Sequence, residues 1–126
     1  MSRLTIATRG SDLAMWQANN VAEALKKLHD GLEVELAVIK TAGDRTADAG
    51  GLGGMDKGAF TGEIERALLA GEADVAVNSL KDMPTGNTDG LAIAAVPQRE
   101  DPADALISAG CESLSELPSG GTVLTG

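Results

Sequence analysis

Val75-Ala76-Val77-Asn78-Ser79-Leu80-Lys81-Asp82-Met83-Pro84 reads as a buried apolar strand that runs straight into a polar loop. Val75-Ala76-Val77 is apolar at every position, as expected of a central parallel strand covered on both faces. The chain turns after it, at Pro84-Thr85-Gly86-Asn87. Ligands of open α/β sheets bind outside the carboxyl ends of the strands, which makes the residues after Val77 the first place to look for chemistry.

Working back from this strand, Phe60, Ile64, Ala67 and Leu68 lie at helical spacing and predict a helix that Gly71 ends. Thr41 to Gly58 is expected to be a long glycine-rich loop, and Glu33 to Lys40 a strand with Val34, Leu36, Val38 and Ile39 as its apolar positions. Leu13 to Leu28 carries an apolar stripe of Ala14, Ala18, Val21, Ala22, Leu25 and Leu28, with Ser11 as the N-cap and His29-Asp30-Gly31 as the stop. Leu4 to Thr8 is the first strand. Forward of Pro84, Leu91 to Val96 predicts a fourth strand, with further short strands at Asp104 to Ile107 and Thr122 to Leu124. Strand, helix, strand, helix, strand is the order of βαβ units. The expected fold class is α/β, a mostly parallel sheet with flanking helices, incomplete because no helix covers the last strand.

Composition agrees with this class. The 126 residues are 43% hydrophobic, with sixteen glycines, and Trp16 and Phe60 are the only aromatics, so Ala, Leu, Val and Ile must build the core. A net charge of -9 argues against nucleic acid, whose binding depends on Lys and Arg neutralising phosphates. Neither a signal-peptide core nor a run of about 18 apolar residues is present, so the expectation is a cytoplasmic protein that does not enter the membrane. Cys111 is the sole cysteine, which excludes an internal disulfide and leaves a cysteine-based metal site without ligands; no metal is expected.

The basic residues are distributed unevenly. Arg9 follows the first strand, Lys40 ends the second, Lys81 follows the third and Arg99 the fourth. This places four cations on one rim of an acidic body and predicts a small ligand rich in carboxylates or phosphates. Gly50-Gly51-Leu52-Gly53-Gly54 matches neither a P-loop nor a dinucleotide fingerprint and is expected to act as a mobile lid or a substrate loop.

Three segments together carry a resemblance to a known family: Ile6-Ala7-Thr8-Arg9-Gly10-Ser11-Asp12-Leu13-Ala14-Met15-Trp16-Gln17-Ala18, Lys57-Gly58-Ala59-Phe60-Thr61-Gly62-Glu63-Ile64-Glu65, and Asn78-Ser79-Leu80-Lys81-Asp82-Met83-Pro84. They resemble the N-terminal portion of the porphobilinogen deaminase (hydroxymethylbilane synthase) family, and Arg99-Glu100-Asp101-Pro102-Ala103-Asp104-Ala105 is similar to its next landmark. The resemblance implies a transferase of tetrapyrrole (haem) biosynthesis that joins four porphobilinogen molecules with release of ammonia. It implies a type II periplasmic-binding-protein-like scaffold, with residues 1–98 as the main part of the first domain and 99–126 as the beginning of the second. The partners implied are porphobilinogen and pyrrole polycarboxylates, together with the remaining parts of the three domains of a full-length protein.

Chemistry gives each matched residue a role under that resemblance. Asp82 is the implied catalytic carboxylate, set beside a pyrrole nitrogen that becomes cationic during condensation. Arg9, Lys57, Lys81 and Arg99 suit the acetate and propionate groups of the pyrroles. Ser11 and Ser79 are implied hydrogen-bond donors, and Gln17 and Phe60 line the same cleft. The implied cofactor is a dipyrromethane primer held by a cysteine; Cys111 does not match that cysteine, so this chain alone is expected to show no turnover. Asn78 stands where the family has His, and Met55-Asp56 where it has Gly-Gly. The alternative reading is a non-catalytic binding module that holds an anionic small molecule on the same scaffold.

Overall fold

The computed structural model describes residues 2–48, 60–86 and 88–124. The chain divides into two compact units, Met1–Ile93 and Ala94–Gly126. In the first, β1 (Arg3–Thr8), α1 (Asp12–Leu28), β2 (Glu33–Val38), α2 (Ala42–Asp48), α3 (Gly62–Leu69) and β3 (Val75–Ala76) follow in order. The strands form a parallel sheet in the order β2-β1-β3. Pairing with β2 runs in register from Arg3 opposite Glu33 to Thr8 opposite Val38, and β3 joins at Ile6 opposite Val75.

Adjacent residues on a strand point to opposite faces, and β1 uses this to hold two cores apart. Ile6 is fully buried against Ala18 and Ala22 of α1, with Leu4, Val34, Leu36 and Val75 around them. Ala7 is fully buried on the other face against Ile64 of α3 and Ala73. The buried stripe of α1 is Ala14, Ala18 and Ala22, small residues that let the helix lie close to the sheet. β1 is therefore the covered central strand, and its carboxyl end lies in the middle of the sheet.

Helix ends follow the local chemistry. The Ser11 hydroxyl accepts a hydrogen bond from the N–H of Ala14 at 3.4 Å and caps α1. At the end of α3 the N–H of Gly71 donates to the Leu68 carbonyl and that of Glu72 to the Ala67 carbonyl, a Schellman pattern that places Gly71 at φ 72°. A side chain at that φ would be strained, hence the glycine.

Several expectations are corrected. β3 borders β1 on one side only and is half-buried, an edge strand of the described sheet and not a central one. Its hydrogen bonds nevertheless extend from the N–H of Asp74, donated to the Thr5 carbonyl, to that of Val77, donated to the Ala7 carbonyl. The stretch read as a loop from Thr41 begins with α2. Leu91 to Val96 forms no strand, nor do Asp104 to Ile107 and Thr122 to Leu124. An apolar run becomes a strand only where another strand accepts its N–H and C=O groups, and among the described residues none does so here. In the second unit the described structure is a one-turn 3-10 helix at Leu114–Glu116 and a turn in which Ser108 Oγ accepts from the N–H groups of Gly110 and Cys111.

Candidate active site

The carboxyl ends of β1 and β3 open onto a cleft of about 200 Å³ lined by Arg9, Ser11, Gln17, Asn78, Lys81 and Asp82, among others. Each side chain arrives by a different local device. Arg9 and Ser11 occupy the turn between β1 and α1, and Gln17 projects from the second turn of that helix. After β3 the chain curls into a one-turn 3-10 helix at Leu80–Asp82, closed by the N–H of Asp82 donating to the Ser79 carbonyl at 3.1 Å. Met83 must be extended because Pro84 follows, and its ψ of 142° ends the turn immediately after Asp82. The Ser79 hydroxyl and the Gln17 side-chain amide pair at 3.1 to 3.2 Å, tying this turn to α1.

Arg9 is the hub of the site. Its Nε and Nη2 donate to Asp44 Oδ1 at 3.0 and 2.5 Å. Its Nη1 stands 3.5 Å from Asp82 Oδ2, an ion pair without a hydrogen bond. The guanidinium also stacks over the Phe60 ring, with Cζ 4.1 Å from the centroid. Asp44 is itself fixed, because the backbone N–H and the hydroxyl of buried Thr41 donate to its Oδ2 at 3.0 and 2.7 Å. Burial by itself would raise the pKa of Asp44; the hydrogen bonds from Arg9 and Thr41 outweigh it and hold the carboxyl at about 2.

Of the residues singled out from sequence, Arg9, Ser11, Gln17, Ser79, Lys81 and Asp82 come together in this cleft, and Phe60 joins them through Arg9. Lys57 lies outside the described residues. Arg99 is exposed in the second unit, and Lys40 is not among the residues that line the cleft. The rim is less positive than four cations imply, because two carboxylates face Arg9. Asp44 was missed, although Thr41-Ala42-Gly43-Asp44 carries the Ser/Thr-x-x-Asp/Glu signature of a capping box and α2 begins there. A larger hollow of about 590 Å³ opens beside Ser2, Leu4, Leu25, Leu28, His29, Asp30 and Leu32. It lies at the opposite end of the sheet, away from the cluster around Arg9.

Residues 4–126 match the family model described as porphobilinogen deaminase, dipyromethane cofactor binding domain. The chain belongs to the porphobilinogen deaminase family. Curated porphobilinogen deaminases agree along almost the whole chain. That of Maridesulfovibrio salexigens is 48% identical over 99% of this chain and 41% of its own length. That of Sulfurimonas denitrificans is 50% identical over 99% and 40%, and that of Syntrophomonas wolfei 48% identical over 99% and 41%. The chain thus spans about two fifths of the length of the deaminases it matches, corresponding to their N-terminal portion.

The family model is named for a dipyromethane cofactor, and the cleft presents donors that would suit an anionic group. Lys81 supplies an exposed ammonium, Arg9 a guanidinium already facing the cleft, and Ser11 and Asn78 short polar groups. Cys111 lies in the second unit, 3.0 Å from Ser108 Oγ. Among the described residues no three His, Cys, Asp or Glu side chains are grouped to hold a metal, and no helix is long and apolar enough to cross a membrane.

Proposed function

We propose that this chain forms one wall of a porphobilinogen deaminase site, binding pyrrole carboxylates and handling the proton of the pyrrole nitrogen. Supporting this is the placement of Asp82, in a chain of this family, on a one-turn 3-10 helix after the carboxyl end of β3 and 3.5 Å from Arg9. The scaffold proposed is periplasmic-binding-protein-like of type II, with residues 1–98 in the first domain and 99–126 opening the second, in a cytoplasmic protein.

Loss of ammonia from porphobilinogen leaves an electron-poor methylene on its pyrrole. Attack by the α-carbon of a second pyrrole forms the new carbon–carbon bond and places positive charge on a pyrrole nitrogen. Asp82, held on its turn, stabilises that charge and accepts or relays a proton. When bound, the dipyrromethane supplies the first pyrroles to which the chain is joined. Lys81, Ser11 and Lys57 hold acetate and propionate groups, while Gln17 keeps Ser79 and the following turn in place. Phe60 and Asp44 hold Arg9 beside Asp82.

The test is Asp82→Asn in a protein of the relatives' full length that carries this segment. Porphobilinogen consumption should fall by about 10²–10⁴-fold, the range for a lost acid–base group, with an unchanged circular dichroism spectrum. Consumption at the parent rate would refute the role of Asp82. A parent protein that binds porphobilinogen without consuming it would favour the non-catalytic binding module.

A further inference from the structure

Arg9 carries five N–H groups on a planar fork, and both edges of that fork are spoken for in different ways. The Nε/Nη2 edge is committed to Asp44 by two hydrogen bonds onto one oxygen. Nη1 points to Asp82 at 3.5 Å, a distance at which the charges attract but no hydrogen bond is made. Asp44 cannot swing to follow Arg9, because its other oxygen receives the N–H and hydroxyl of Thr41, a residue with no exposed surface. Underneath, the Phe60 ring blocks the guanidinium from dropping toward α2: Gly43 of α2 already packs so tightly on that ring that a Cβ there would overlap it.

From this geometry we infer that Asp44 is a positioning residue that locks one edge of Arg9, leaving Nη1 to be shared between Asp82 and an incoming carboxylate. An anion entering the cleft then replaces only the longer contact of Arg9. As it does so it draws the cation away from Asp82, so substrate binding and the electrostatics of Asp82 are coupled through a single guanidinium. The depressed pKa of Asp44 agrees, since the lock remains charged at any pH at which a pyrrole carboxylate is ionised.

The inference rests on the proposed function only in the choice of porphobilinogen as the anion, and the test separates the two. The chain and its Asp44→Asn, Arg9→Ala and Arg9→Ala/Asp44→Asn variants are titrated with porphobilinogen while the Arg9 Nε–H signal and the backbone amides are followed by NMR. Asn keeps the shape and can still accept from Thr41, so the amide spectrum should remain that of the folded chain. The Arg9 Nε–H should lose its protection from exchange in Asp44→Asn, and porphobilinogen affinity should fall by about 5–20-fold, the loss of a charge-assisted hydrogen bond. The double variant should bind no more weakly than Arg9→Ala. Additive losses, or an Nε–H that stays protected in Asp44→Asn, would overturn the inference. Failure of the parent chain to bind porphobilinogen would count against the proposed ligand, and the Nε–H signal would still decide the role of Asp44.

Discussion

The Asp44 lock has a consequence for stability that can be followed with pH. Its carboxyl moves from an ordinary 3.8 to about 2 on folding. At about 1.36 kcal/mol per unit this corresponds to roughly 2.4 kcal/mol of stabilisation. The two side chains keep 19% and 17% of their surface exposed, and the water that reaches them screens part of this, so about 1 kcal/mol is the expected yield. A carboxyl whose pKa is lower folded than unfolded contributes fully above about pH 4 and loses that contribution as the pH falls through about 2. Asp44→Asn should therefore melt about 4–8 °C below the parent at pH 7, the shift expected of about 1 kcal/mol in a domain of this size. Thermal melts followed by circular dichroism at pH 7, 4, 3 and 2 should show the gap shrink to a small remainder at pH 2, where the folded parent's carboxyl is about half protonated. A gap of constant size from pH 7 to 2 would show that the ion pair contributes nothing and that the substitution acts by disturbing packing.

Three other outcomes follow from the packing. Ile64→Ala removes a side chain with no exposed surface from the core between α3 and the sheet, and urea unfolding should register a loss of about 2–5 kcal/mol. Gly43→Ala places a Cβ into the Phe60 ring; thermal melts should show a cost of about 1–3 kcal/mol from overpacking, and the Arg9 Nε–H signal should shift as the ring moves. Ser11→Ala should cost about 0.5–2 kcal/mol through loss of the α1 cap, while Ser11→Gly costs only a few tenths, a contrast that separates capping from side-chain volume.

Much of the cleft's lining is legible in the sequence. Arg9, Ser11 and Gln17 belong to one continuous stretch, and Ser79, Lys81 and Asp82 to another, so a strand-to-turn reading together with the family resemblance located them all. Asp44 escaped because its importance lies in contacts and not in its neighbourhood: it sits 35 residues from Arg9, inside a stretch that composition made look like loop. The capping signature at Thr41 announced α2 but not the partner of its aspartate. Leu91 to Val96 failed for the converse reason. Its apolar pattern is that of a strand, but pattern records only what a segment could bury, and no described strand pairs with it.

The sequence by itself determined α1 with its cap and its stop, the end of α3 at Gly71, that β1 and β2 are parallel strands joined by a helix, and which family the chain resembles. These depend on period, caps and glycines, which are properties of residues a few positions apart. Only the tertiary structure decided that β1 is the central strand, that β3 forms an edge, and that the charge of Arg9 is divided between Asp44 and Asp82. Those depend on which distant groups satisfy one another's hydrogen bonds and charges once the sheet has assembled, and no local pattern encodes that choice.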